Sequence, residues 1–286
     1  MGLKILQFGD VHLPLPPGAL RSPEAWRPRR IPAIANYFLL RGRHYAAAGE
    51  KLDALRDFLR REGADWIFYA GDSVGMGLDA EFRAAAPRLT AVFREARCGT
   101  VAVPGNHDFY TYRSVGDFRR RMEAAGSHVL PGAPVVRFLA EDSAVVAFET
   151  ARPHFFFWHS SGYLAPETRD ALATLLDDPR LAGLERVFLL THYPPDDDDP
   201  YHGFPDAKPL AEILANRPNL VFLHGHVHKV SRRTVSFGSA EVPVFCSGSL
   251  SKAGVESFWL HEIEEGRLLS RRGRWTGSAW TLDPPE

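Results

Sequence analysis

The sequence predicts an α/β fold in which two β-sheets pack together between helical layers. Three observations predict it. Short apolar runs alternate with stretches of helical spacing as far as residue 228. Beyond residue 230 the helical spacing stops and strand-like runs follow one another. Five of the apolar runs end in side chains that bind metals, and the carboxyl edge of the strands is where α/β sheets place their ligands. No linker divides the chain. Residues 1–286 therefore read as one domain, with a cap inserted at 13–44 and a β-rich part at 230–275.

In chain order, residues 3–8 are the first strand, ending at Gly9-Asp10-Val11-His12. Residues 13–44 are irregular and rich in proline and arginine, too long for an ordinary loop inside a compact domain. Leu52, Leu55, Phe58 and Leu59 give 45–62 a helical stripe that Gly63 stops. Residues 66–70 form a second strand, ending at Gly71-Asp72. A helix from Asp79 through Arg97 leads to the strand at 100–104 and to Gly105-Asn106-His107-Asp108. Residues 114–125 read as helix, 135–138 and 144–148 as strands, and 166–177 as an amphipathic helix. The strand 187–190 ends at His192, the helix spans 206–216, and the strand 220–223 ends at His226 and His228. The runs 235–237, 242–246, 258–263 and 268–274 read as antiparallel strands.

A 286-residue chain that is 45% hydrophobic can bury a large core, and its net charge of -1 gives no general attraction to nucleic acid or acidic membranes. Cys98 and Cys246 are too few for a disulfide scaffold and read as buried free thiols. Without a signal peptide or an apolar run of membrane-spanning length, a cytoplasmic location is expected.

The candidate ligands are Asp10, His12, Asp72, Asn106, His192, His226 and His228, more than one ion needs. Two ions about 3.5–4 Å apart would use all seven if one carboxylate bridged them. Imidazole with carboxylate and amide oxygen suits Mn, Fe or Zn, as divalent or trivalent ions, and no cysteine lies in the set. His107 follows a candidate ligand directly, so it is held near the metals without having to bind them.

The order Asp-x-His, Gly-Asp, Gly-Asn-His-Asp, His, Gly-His-x-His, from Asp10 to His228, resembles the calcineurin-like metallophosphoesterase superfamily. The resemblance implies a four-layer αββα sandwich of two mixed sheets flanked by helices, and a dinuclear centre. It implies that Asp10, His12, Asp72 and His228 hold one metal and that Asp72, Asn106, His192 and His226 hold the other, with Asp72 as the bridge. A hydroxide between the ions would then attack phosphorus, and His107 would protonate the leaving oxygen or steady the transition state. The implied activity is hydrolysis of phosphomonoesters or phosphodiesters; a pyrophosphatase acting on a nucleotide-linked lipid precursor, or a non-catalytic scaffold, are the alternatives.

Many members carry Gly-Asp-x-x-Asp at the second motif, where the second carboxylate orients the acid histidine. Here the stretch is Gly71-Asp72-Ser73-Val74-Gly75, which leaves Asp108 or a backbone carbonyl for that task. That departure, with residues 161–167 leading into a helix before Thr191-His192-Tyr193, is similar to the bacterial class III cyclic-nucleotide phosphodiesterase branch.

Three further segments bear on substrate. The 13–44 insertion carries six arginines among apolar residues. Arg29, Arg30, Arg41 and Arg43 are its candidate phosphate binders, against the plainer reading of a cap with solvated arginines. The same mixture leaves peripheral membrane contact open. Asp196-Asp197-Asp198-Asp199 reads as a solvated acidic loop or as a lid that repels duplex nucleic acid, which is not an expected partner. Phe155-Phe156-Phe157-Trp158-His159 reads as core or a dimer contact, with a stacking or greasy wall as the alternative. A small-molecule phosphoester is the expected substrate.

Overall fold

A computed structural model describes residues 2–123 and 133–285 of the chain; the last two residues of the helix expected at 114–125 lie outside them. In chain order the elements are β1 (Leu3–Phe8), α1 (Arg30–Asn36), α2 (Ala48–Glu62), β2 (Ala64–Tyr69), α3 (Asp79–Phe93), β3 (Ala96–Ala102) and α4 (Tyr112–Glu123). Then come β4 (Val135–Ala140), β5 (Ser143–Ala147), α5 (Pro166–Leu176), α6 (Pro179–Ala182), β6 (Arg186–Leu190), α7 (Ala207–Leu214) and β7 (Leu220–His224). The chain finishes with β8 (Ser231–Phe237), β9 (Ala240–Cys246), β10 (Ser257–Glu264), β11 (Arg267–Trp275) and β12 (Trp280–Leu282).

The strands form two six-stranded mixed sheets, ordered β12-β11-β10-β1-β2-β3 and β4-β5-β6-β7-β9-β8. Helices flank them, giving the expected αββα sandwich. The period-2 alternation of each strand sorts its side chains between two interfaces. Ile5, Phe68, Leu190, Leu223 and Phe245 meet between the sheets. Their neighbours Leu6, Ile67, Leu189, Phe222 and Val244 face outward into the helix layers with Leu52, Phe82 and Leu210. Both faces are covered, which is why these strands read as unbroken apolar runs. One polar lock crosses between the sheets: Gln7 Nε2 donates to His224 O (3.1 Å) and Phe245 O (3.2 Å), and Gln7 Oε1 meets His261 Nε2 at 3.0 Å.

The β-rich end departs from expectation. β9 runs parallel to β7 and antiparallel only to β8, while β10 crosses to the other sheet and pairs antiparallel with β1 and β11. The short α6 and β12 carry too little periodic sequence to be seen. Cys246 is buried as expected, but Cys98 is exposed because β3 is an edge strand. No helix among the described residues is long and apolar enough to cross a membrane.

The 13–44 segment is helical rather than irregular. Two short 3₁₀ turns precede α1, and a π-helical turn at Tyr37–Arg41 and a 3₁₀ turn at Gly42–Tyr45 follow it. Its small core joins Ala19, Ala25 and Ile34 to Met76 and Leu78 of the loop before α3. Arg30 fastens it. This fully buried guanidinium donates to Met76 O (3.0 Å), Gly77 O (3.1 Å), Ser114 Oγ (3.2 Å) and the Glu24 carboxylate (2.6 Å). Arg30 is thus not available to a substrate, contrary to the sequence expectation. Replacing it with Met should cost about 3 kcal/mol of stability in denaturant unfolding, because the carbonyls of Met76 and Gly77 and the Glu24 carboxylate are left without this donor. A loss below about 1 kcal/mol would mean that the apolar core alone seats the insertion.

Candidate metal centre

Each candidate ligand sits just past a strand end, and the two sheets bring these ends to one edge. Beyond β1 and β2 the backbones stay hydrogen-bonded, with Asp10 N to Gly71 O at 2.8 Å and His12 N to Asp72 O at 3.0 Å. Asp10, His12, Asp72, His226 and His228 all have positive φ, between 44° and 69°. Non-glycine residues pay for that left-handed conformation in strain, which clusters at functional sites. Glycines beside them make room: a Cβ on Gly225 would lie 2.5 Å from Asp10 Oδ2, and one on Gly105 would overlap Asp72 Oδ1.

The ring nitrogens show which atoms face inward. His12 Nδ1 donates to Val74 O (3.1 Å) and His192 Nδ1 to Ala70 O (2.6 Å), so each turns a bare Nε2 lone pair into the site. His226 is reversed: Nε2 donates to His202 O (2.7 Å), leaving Nδ1 bare. Tyr45 Oη lies 3.3 Å from His228 Nδ1. The inward atoms then face one another as acceptors. His192 Nε2 and His226 Nδ1 each lie 3.1 Å from Asn106 Oδ1. One ligand atom each from Asp10, His12, Asp72 and His228 falls within a mutual 4.8 Å. Among the described residues, buried Asp10 Oδ1 has no hydrogen-bond partner, although His228 Nε2 is 3.0 Å away. Asp72 Oδ1 accepts from His107 N (2.8 Å), while Oδ2 lies 3.6 Å from both His12 Nε2 and His192 Nε2, between the two groups of ligands. Lone pairs turned on lone pairs in a buried site fit cations.

Burial lifts the carboxyls of Asp10 and Asp72 from 3.8 to about 7 and about 8, the second raised further by Asp10. Burial, then Arg41, holds His12 and His107 well below the usual histidine range. His107 Nδ1 donates to Gly75 O at 2.6 Å. Of the two candidates left by the sequence, the backbone carbonyl therefore orients this ring, and it belongs to the residue that stands where the second carboxylate is missing. Asp108 serves the backbone instead, accepting from Asp72 N (2.8 Å), Ser73 N (2.9 Å) and Gly105 N (3.0 Å). Buried Glu81 holds the Gly75 loop by accepting from Gly75 N (3.1 Å) and Leu78 N (2.9 Å).

A cleft of about 640 Å³ opens over the cluster. Arg41 lines it, with Nη1 2.9 Å from His107 Nε2. Arg29 also lines it, but its guanidinium is engaged by the carbonyls of Phe156 (2.8 Å), His154 and His159 (3.4 Å). Arg43 is exposed and does not line the cleft. Phe157 and His159 form part of the wall, and residues 155–158 are exposed, so this stretch is not core. Tyr45, Tyr110 and Lys252 line the cleft without any motif to announce them. The ring of His202 matters less than its carbonyl, which sets His226.

The family profile described as calcineurin-like phosphoesterase matches residues 3–230. The chain belongs to this family. Among solved structures, it is similar to a dimetal phosphatase from Danio rerio at 18% identity, covering 99% of both chains with a TM-score of 0.65. It is also similar to the anchor in the inner membrane complex of Plasmodium, at 11% identity over 100% of this chain and 89% of that one, with a TM-score of 0.53. At such identities the likeness is one of fold. No curated protein matches. The chain is thus a metallophosphoesterase-family protein with a buried Asp/His cluster suited to metal.

The folded, metal-free chain holds protons on Asp10 and Asp72 that the unfolded chain releases above pH 3.8. Their contribution to stability is complete below that pH and is lost as pH rises through about 7 and about 8. The depressed histidines contribute above pH 6.5 and lose that contribution as pH falls. In chelator, thermal stability should therefore fall as pH rises from 6.5 toward about 8, where the carboxyls alone titrate. With Mn present it should not fall, since the ions favour the ionised carboxylates. Parallel curves with and without metal would contradict this account.

Proposed function

We propose that the chain is a dinuclear-metal-dependent hydrolase of phosphomonoesters or phosphodiesters. The observation that carries this reading is the set of buried acceptor atoms facing one another, with Asp72 Oδ2 at 3.6 Å from a histidine on each side. Asp10, His12, Asp72 and His228 would hold one ion, and Asp72, Asn106, His192 and His226 the other, drawn from Mn, Fe or Zn. Bound there, the ions would activate water and neutralise charge on the transferring phosphoryl group.

The chain's own residues supply the rest. Arg41 reaches the cluster from the insertion with a guanidinium suited to two phosphate oxygens. His107, fixed through Nδ1, presents Nε2 to the leaving oxygen. Burial, with Arg41 beside it, helps keep this imidazole neutral. An anionic phosphate between the two offsets that charge and lets Nε2 carry the proton it delivers. The 13–44 segment is then a substrate cap acting through Arg41, with Arg29 as its strut to the aromatic loop. The missing second carboxylate, with Gly75 in its place, supports placement near the class III cyclic-nucleotide phosphodiesterase branch. A pyrophosphatase for a nucleotide-linked lipid precursor is the second reading, favoured by Leu40 and Phe157 on the cleft wall. The complete donor set speaks against a non-catalytic scaffold.

Protein reconstituted with Mn, Fe or Zn should turn over p-nitrophenyl phosphate or bis-p-nitrophenyl phosphate, and chelated protein should not. His107→Ala should keep its metal yet lower kcat by about 10²–10⁴-fold on alkyl esters, with a smaller loss on nitrophenyl esters, whose leaving group needs little protonation. Equal losses on both would contradict the acid role, and no turnover with any of the three metals would contradict the hydrolase reading.

A further inference from the structure

The cleft mouth carries more exposed apolar surface than a substrate needs. On one side the π-helical turn Tyr37–Arg41 points three consecutive side chains outward: Phe38 is 65% exposed, Leu39 75% and Leu40 59%. Such turns are rare and concentrate at functional sites. On the other side Phe155 is 85% exposed and lies edge-on to Phe156 at 5.1 Å, and Phe156 stacks on Trp158 at 4.6 Å. The aromatic loop thus packs on itself and stays open to solvent.

The two patches are parts of one rim. Arg29 ties them, reaching from the insertion to Phe156 O at 2.8 Å, and Leu40 and Phe157 line the same cleft. Exposed apolar side chains gathered around one cleft mouth mark an interaction site. The insertion adds charge: six arginines against one carboxylate, Glu24, which is already paired with Arg27 and Arg30. Arg21 and Arg43 are exposed with no ion-pair partner among the described residues.

We propose that this rim docks on an anionic lipid bilayer, with Phe38, Leu39 and Phe155 entering the interface and Arg21 and Arg43 meeting headgroups. Aromatic and aliphatic side chains beside arginines are the chemistry of interfacial binding. A second copy is disfavoured, because a two-fold contact through this rim would close the cleft of both copies. The acidic loop borders the aromatic loop through the Tyr201–His159 ring contact at 5.1 Å, which confines the basic edge to the insertion. That the cleft would then act on a phosphoester presented at the surface rests on the proposed hydrolase reading; docking does not.

The test is flotation of the full chain with vesicles of phosphatidylcholine and phosphatidylglycerol, or of phosphatidylcholine alone. The wild type should float with the anionic vesicles and less with the neutral ones. Replacing Phe38, Leu39 and Phe155 together by Ser should lower partitioning about tenfold or more. Nitrophenyl ester turnover and thermal stability should be unchanged, since these side chains lie outside the cleft lining. Arg21→Glu with Arg43→Glu should remove the preference for anionic lipid. Should the triple variant fail to fold, a blue shift of tryptophan emission in the wild type on adding anionic vesicles supports docking, and an unshifted spectrum opposes it. Docking is overturned if the wild type floats with neither vesicle or the folded triple variant floats equally well. It is also overturned if the wild type is a dimer that the triple variant dissociates. Loss of turnover with flotation intact would bear on the hydrolase reading alone.

Discussion

Two carboxylates buried side by side organise this molecule. Asp10 and Asp72 are shut away from water, and His12 and His192 turn Nε2 lone pairs, not protons, toward Asp72. Burying such charges is costly unless something positive sits among them. Burial raises the carboxyls of both groups, to about 7 and about 8, which favours their protonated forms unless cations are bound. With cations in place the same arrangement becomes favourable. The strained backbone at five candidate ligands, on the loops after β1, β2 and β7, makes sense as the geometry that aims these donors at one point.

The surrounding structure holds that geometry from the main chain. Carbonyls of Val74, Ala70 and His202 select the tautomer of three histidines, the outer support that metal-binding imidazoles need. Asp108 gathers three backbone N–H groups from two loops. Ser249 Oγ donates to Asp10 O at 2.7 Å and Leu250 N to Gly9 O at 3.0 Å, so the chain between β9 and β10 braces the first ligand loop. A chain of contacts runs from Glu81 through the Gly75 loop to His107, and Arg30 seats the insertion that carries Arg41.

Much of this could be read in the sequence, because strand-end motifs bind residue type to position. The apolar runs that end in Asp, Asn or His pointed to the sheets, to their shared edge and to the seven candidate ligands. What could not be read depends on distance between segments far apart in the chain. Nothing local distinguishes Arg30 from Arg41, yet one is locked in a buried network and the other reaches His107. The stretch 155–158 has the composition of core, but it sits on a loop that no layer among the described residues covers. The crossing of β10 to the other sheet is set by pairing with β1, some 250 residues earlier. The carbonyl that orients His107 is invisible, since any residue at position 75 would supply one.

The measurement that bears most directly on the shared role of Asp72 is metal content by elemental analysis, after growth with Mn, Fe and Zn, for the wild type and for Asp72→Ala. The account predicts two ions per wild-type chain and loss of both together from the variant. One ion in the wild type, or a variant that sheds only one, would contradict a centre built around a bridging carboxylate.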